Sequence, residues 1–94
     1  MVTPKVVSQA SASFRAVVDR ILAANRQPTA WEAGCLYAAL CELAAGRDED
    51  AQRKIYLALL PGAQAAAPIT IIPLPTCEDL LQALELLNAR RDAR

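Results

Sequence analysis

Three thiols, Cys35, Cys41 and Cys77, are the side chains best suited to covalent, redox or metal chemistry in this 94-residue chain, and no histidine accompanies them. Their number is odd and no pair shows CxxC spacing. Cys35 and Cys41 fall on one expected helix, where six residues of rise separate them by roughly 9 Å, beyond the reach of a disulfide. Zinc would need all three thiolates plus a carboxylate, an uncommon set at this spacing, so no metal site is expected. Small buried hydrophobes in a reducing compartment are the expected state. Cys77 is the one thiol placed for reactivity, because the first turn of a helix lowers a thiol pKa, although Glu78 and Asp79 beside it act the other way.

General acid–base work near neutral pH asks for a histidine or a carboxylate of perturbed pKa. Glu32, Asp48, Asp50 and Asp79 all sit at expected helix starts, where capping explains them. Glu42 falls between apolar stripes, and a pair with Arg15 or Arg53 would account for it. The three glycines are scattered, so no phosphate-binding loop exists. The expectation is a non-enzyme with no catalytic residue, no cofactor and no small-molecule ligand.

The elements that must position any surface begin with the stretch Thr29 to Leu60. Thr29 followed by Glu32 has the spacing of a capping box, opening a helix over about 30–45 that Gly46 ends in a left-handed conformation. Asp48, Glu49 and Asp50 favour the start of a second helix over about 49–60, stopped by Pro61-Gly62. Two helices this close in sequence fold back antiparallel. In the first, Leu36, Leu40 and Leu43 make an apolar stripe, while Trp31, Cys35, Ala38, Ala39 and Ala45, with Gly34, make a small-residue face suited to a close neighbour. In the second, Ala51, Ile55, Ala58 and Leu59 recur at helical spacing with Tyr56 and Leu60 on the flank. A lone hairpin cannot cover all these faces.

The corner Gly46-Arg47-Asp48-Glu49-Asp50-Ala51, with Ala39, Ile55 and Ala58 at favoured small or apolar offsets, resembles the inter-helix turn of a tetratricopeptide repeat. The resemblance covers about a third of the chain. It departs from the repeat at Cys35 and Glu42, where aromatics are usual, and at Trp31, a full turn early. It implies one helical hairpin and not a solenoid, which needs stacked neighbours.

Thr3-Pro4 is a plausible cap for a helix over about 5–25, whose stripe Val7, Ala10, Phe14, Val17, Val18, Ile21 and Leu22 suits it as cover for the hairpin. From Pro61 to Pro75 four prolines forbid a helix, yet Ile69, Ile71, Ile72 and Leu74 are too apolar for a solvated linker, so an extended strap is expected. Ile69-Thr70-Ile71-Ile72 also has the β preference to pair with another chain. Thr76 and Asp79 cap a last helix over about 77–89, lined by Leu80, Leu81, Leu84 and Leu87 with Leu86 on the flank.

Ten basic and ten acidic residues cancel without a basic stripe, and the Arg90, Arg91, Arg94 cluster sits where it opposes a helix dipole, so no nucleic-acid partner is expected. Charged residues interrupt each apolar run, which leaves neither a secretory signal nor a spanning segment and makes the cytoplasm the expected compartment. At 54% hydrophobic the chain exceeds the usual 45–50%, which favours an obligate partner or self-association.

These features define one all-α domain over residues 1–94. It is a four-helix, orthogonal or bundle-like arrangement around a central antiparallel hairpin, with a proline-rich strap before the last helix. The expected role is a small protein–protein interaction module: an adaptor, an assembly chaperone, or an inhibitor of a larger bacterial or phage machine. Its contacts would be Trp31, Cys35, Tyr37, Ala38, Tyr56, Ile69, Ile71 and Ile72. The alternative is a structural homodimer joined through the 69–74 arm or the last helix, and a third reading is a thiol-based redox sensor.

Overall fold

A computed structural model of the chain describes residues 9–60 and 73–92. Thr3-Pro4, the stop at Pro61-Gly62, and the strap through Ile72 with its arm residues Ile69, Ile71 and Ile72 lie outside those residues. Four helices account for nearly all that is described: α1 (Gln9–Ala23), α2 (Ala30–Ala44), α3 (Asp48–Leu59) and α4 (Cys77–Asp92). The domain is all-α, and its helices pack on one another as a bundle.

Each boundary has a local cause. α1 ends one turn before Gln27 because Asn25 adopts φ 58; its N–H bonds Leu22 O and that of Arg26 bonds Ile21 O, closing a Schellman turn on a residue that tolerates the left-handed region. The capping box at α2 is complete: Glu32 N–H donates to Thr29 Oγ1, and Thr29 N–H donates to Glu32 Oε1. Gly46, at φ 79, ends α2 with the same pair of turn bonds, Gly46 N–H to Leu43 O and Arg47 N–H to Glu42 O. α3 starts at Asp48 without a side-chain cap, leaving its three leading acids to meet the dipole. Thr76 and Asp79 exchange bonds at the start of α4. That helix runs past Asn88, its expected end, because Arg90 and Arg91 in its last turn complement the dipole and Arg91 reaches Asp48 Oδ2 at 3.3 Å.

The long-range bonds orient the helices. Ser11 Oγ donates to Asn88 Oδ1, while Cys77 N–H donates to Gln27 Oε1; α1 and α4 therefore run antiparallel. Trp31 Nε1 donates to Leu57 O, joining the start of α2 to the end of α3. Gln52 Nε2 donates to Ser13 Oγ, so the starts of α1 and α3 lie at one pole. That pole also holds the ends of α2 and α4. Around the bundle the neighbours are α1, α3, α2 and α4 in turn; α1 and α2 touch weakly across one diagonal, and across the other α3 and α4 are linked through the Arg91–Asp48 ion pair.

The core forms where the inward stripes meet. Phe14, Val18 and Ile21 from α1, Leu36 and Leu43 from α2, Ile55 from α3, and Leu80 and Leu84 from α4 are essentially closed to solvent. Leu22, Leu59 and Leu60, counted with the apolar stripes and flanks in the sequence, are exposed. Helix periodicity places a residue within about a quarter turn, and Leu22 and Leu59 fall on the far edge of their stripes, while Leu60 lies past the end of α3 in an extended conformation.

Candidate functional site

Apart from Ala45 at its end, the small-residue face of α2 is consumed inside the molecule. Trp31 bonds Leu57 O at one end of this stripe, and Glu42 meets Arg47 and Lys54 at the other. Cys35 and Ala38 lie between those contacts at helical spacing and are buried. The close neighbour anticipated for this face is α3 itself, which leaves neither Cys35 nor Ala38 open to a partner. Glu42 accordingly pairs with Arg47 (2.6 Å) and Lys54 (3.7 Å), and not with Arg15 or Arg53; Arg53 pairs with Asp50 instead.

A different face of α2 remains open. Tyr37, Leu40, Cys41 and Ala44 recur at i, i+3, i+4 and i+7, pointing away from α3. With Ala83 and Leu87 of α4 they line an apolar hollow of about 230 Å³. Leu87 and Ala44 also border a larger open cleft of about 710 Å³ at the pole, walled by Ala45, Gly46, Arg90 and Arg91. The two depressions share Ala44 and Leu87 as lining, and together mark a groove between α2 and α4 that is apolar in its middle and cationic at one end. Tyr37 is 43% exposed at its rim. Of the expected contact residues that the structure describes, Tyr37 alone lines this groove. Tyr56, 59% exposed, lies on α3 and is separate from it. Leu40, Cys41, Ala83, Leu87 and Arg90 were missed, although the i, i+3, i+4, i+7 run on α2 was a legible signal.

One cluster of ionisable groups, Arg26, Glu32 and Cys77, lies at the starts of α2 and α4, at the pole opposite the cationic cleft. Arg26 donates two parallel bonds to Glu32, at 2.8 and 2.9 Å. That bond, opposed by partial burial and helped by the Thr29 amide, holds the Glu32 carboxyl below its ordinary value. Cys77 is fully buried, and loss of solvent pushes its thiol pKa up against the opposing pull of Arg26. Its position in the first turn of α4 therefore does not expose the Cys77 thiol or lower its pKa. Burial likewise raises Cys35. Cys41 is the exposed thiol and sits in the groove. Among the described residues no cluster of His, Cys, Asp or Glu is arranged to hold a metal, and no helix is long and apolar enough to cross a membrane.

Neither a family model, nor a curated protein, nor a solved structure matches the chain. The tetratricopeptide resemblance therefore rests only on the residues that suggested it.

Proposed function

We propose that the chain is a non-catalytic protein–protein interaction module whose binding surface is the α2/α4 groove, acting as an adaptor, assembly chaperone or inhibitor in a reducing compartment such as the cytoplasm. The observation that carries this reading is the uncovered apolar run Tyr37, Leu40, Cys41 and Ala44 beside Ala83 and Leu87. Such a trough, lined at helical spacing, suits an apolar stripe from another helix laid between two helices of the module. Arg90 at its open end adds a preference for a carboxylate there. An aromatic rim residue such as Tyr37 supplies large contact area at low entropic cost, a common anchor at interfaces.

Cys41 offers a direct test because it lies in the hollow and is exposed. A photo-activatable maleimide placed there should give a defined cross-linked polypeptide, either in host extract or with the purified chain. Tyr37→Glu should abolish the adduct and Tyr56→Glu should leave it intact. A label that yields no adduct under either condition would remove the groove as a binding surface.

A further inference from the structure

The outer face of α4 is complementary to itself. Asp79, Ala83, Leu86 and Arg90 recur at i, i+4, i+7 and i+11 and share one stripe of the helix. Leu86 is 61% exposed, the most exposed large apolar side chain among the described residues. Ala83 belongs to the wall of the apolar hollow, and Arg90 to the cationic cleft that continues it. Charge along α4 is polarised, with Glu78 and Asp79 in the first turn and Arg90 and Arg91 in the last.

This pattern selects an orientation. A second α4 laid antiparallel about a two-fold axis passing between positions 84 and 85 sets Asp79 opposite Arg90 and Ala83 opposite Leu86, at both ends of the contact at once. The large residue meets the small one, and the acid meets the base. A parallel pair in register would set acid on acid and base on base. Asp79 is exposed, and its capping bond with Thr76 N–H occupies only one carboxylate oxygen. Arg91 is held by Asp48, whereas Arg90 is exposed and has no ion pair among the described residues.

We propose that the α4 face binds a second copy of this chain as an antiparallel, two-fold symmetric helix pair. Leu86 of each protomer enters the hollow between Tyr37 and Leu87 of the other, and Arg90 pairs across the seam with Asp79. The proposal rests on the interaction-module reading and names the partner as the chain itself. An isologous contact of this kind uses the same patch twice, so one substitution removes two contacts. It also gives the 54% hydrophobic content an outlet, since the uncovered run on α2 and the exposed Leu86 are hidden by the same event.

Sedimentation equilibrium of the full chain at low ionic strength tests it, with circular dichroism to confirm that each variant keeps its helix content. The wild type should form a reversible dimer. Leu86→Glu should raise the dissociation constant well beyond tenfold, and Leu86→Ala, which retains helix propensity, should raise it less. Arg90→Glu should weaken the dimer on the order of tenfold, an effect that shrinks as salt rises; Tyr56→Glu should change nothing. Spin labels at Gln82→Cys and, separately, Glu78→Cys in a Cys41→Ser background fix the sense of the pair. The antiparallel seam gives an interlabel distance several ångströms longer at 78 than at 82, and equal distances would overturn it. A monomer at every concentration, or a dimer indifferent to both Leu86 variants, would also overturn self-pairing. In either case an adduct from Cys41 to a different polypeptide would leave the interaction-module reading standing.

Discussion

The inward face of α2, built from Cys35, Leu36, Ala39 and Leu43, is closed to solvent, whereas the outward face of the same helix, built from Tyr37, Leu40, Cys41 and Ala44, lines an open groove. Both faces are apolar and both recur at helical spacing. The difference lies in what surrounds them. α1, α3 and α4 converge on the first face, while among the described elements α4 alone borders the second. Apolar character thus states what a surface would gain by being covered, and only packing states whether it is covered. Where the two disagree, as along the outward face of α2, the uncompensated surface is the place to look for a partner.

The thiols separate the faces most sharply. In chain diluted to the monomer Cys41 should alkylate freely, while Cys35 and Cys77 should lag by on the order of a thousandfold or more, since they react only when the core opens. Mass spectrometry after a timed iodoacetamide pulse checks this, and equal rates would mean that the inward face is not closed. Next in size, Leu36→Ala should cost about 2–5 kcal/mol in chemical denaturation, because the fully buried side chain leaves a cavity.

Gly46→Ala should cost about 1–2 kcal/mol through backbone strain alone, since a Cβ there meets nothing within 4 Å. The inter-helix corner is the step that brings α3 onto the inward side, so a neutral Gly46→Ala would show that the left-handed turn is dispensable. Glu32→Gln should lower stability modestly at neutral pH, chiefly by weakening the cap, because the Arg26 partner is exposed and screened by solvent. The folded carboxyl is held below its unfolded value, so its contribution is complete above the unfolded pKa and is lost as pH falls through the folded one. The wild type and Glu32→Gln should therefore converge in stability on acidification, as thermal melts across that range would show. Smallest, Tyr37→Ser should change monomer stability by no more than about 0.5 kcal/mol, because the side chain has little to lose on the open face.

Much of the fold was legible because its signals are local. Thr29 with Glu32, Gly46, and Thr76 with Asp79 set helix ends through hydrogen bonds within a few residues, and those bonds form whatever else the chain does. Asn25 was the overlooked stop, since asparagine takes the left-handed region less habitually than glycine and leaves a fainter mark. The site was less legible for a different reason. Trp31, Cys35 and Ala38 looked like a docking face because small residues welcome a close neighbour, and periodicity does not say whether that neighbour belongs to the same chain.

The amino-acid sequence alone determined four helices, where three of them begin, the glycine corner, and the surplus of apolar faces on α2. Those are matters of propensity, capping and period, each settled within a turn or two of backbone. Tertiary structure decided which face of α2 was spent on α3, which cations met Glu42, that Cys77 went inside, and that α4 came to lie along α2 so as to leave a trough between them. Such outcomes depend on the relative free energies of whole arrangements of helices, in which every face competes for the same few neighbours, and no short window of residues carries that information.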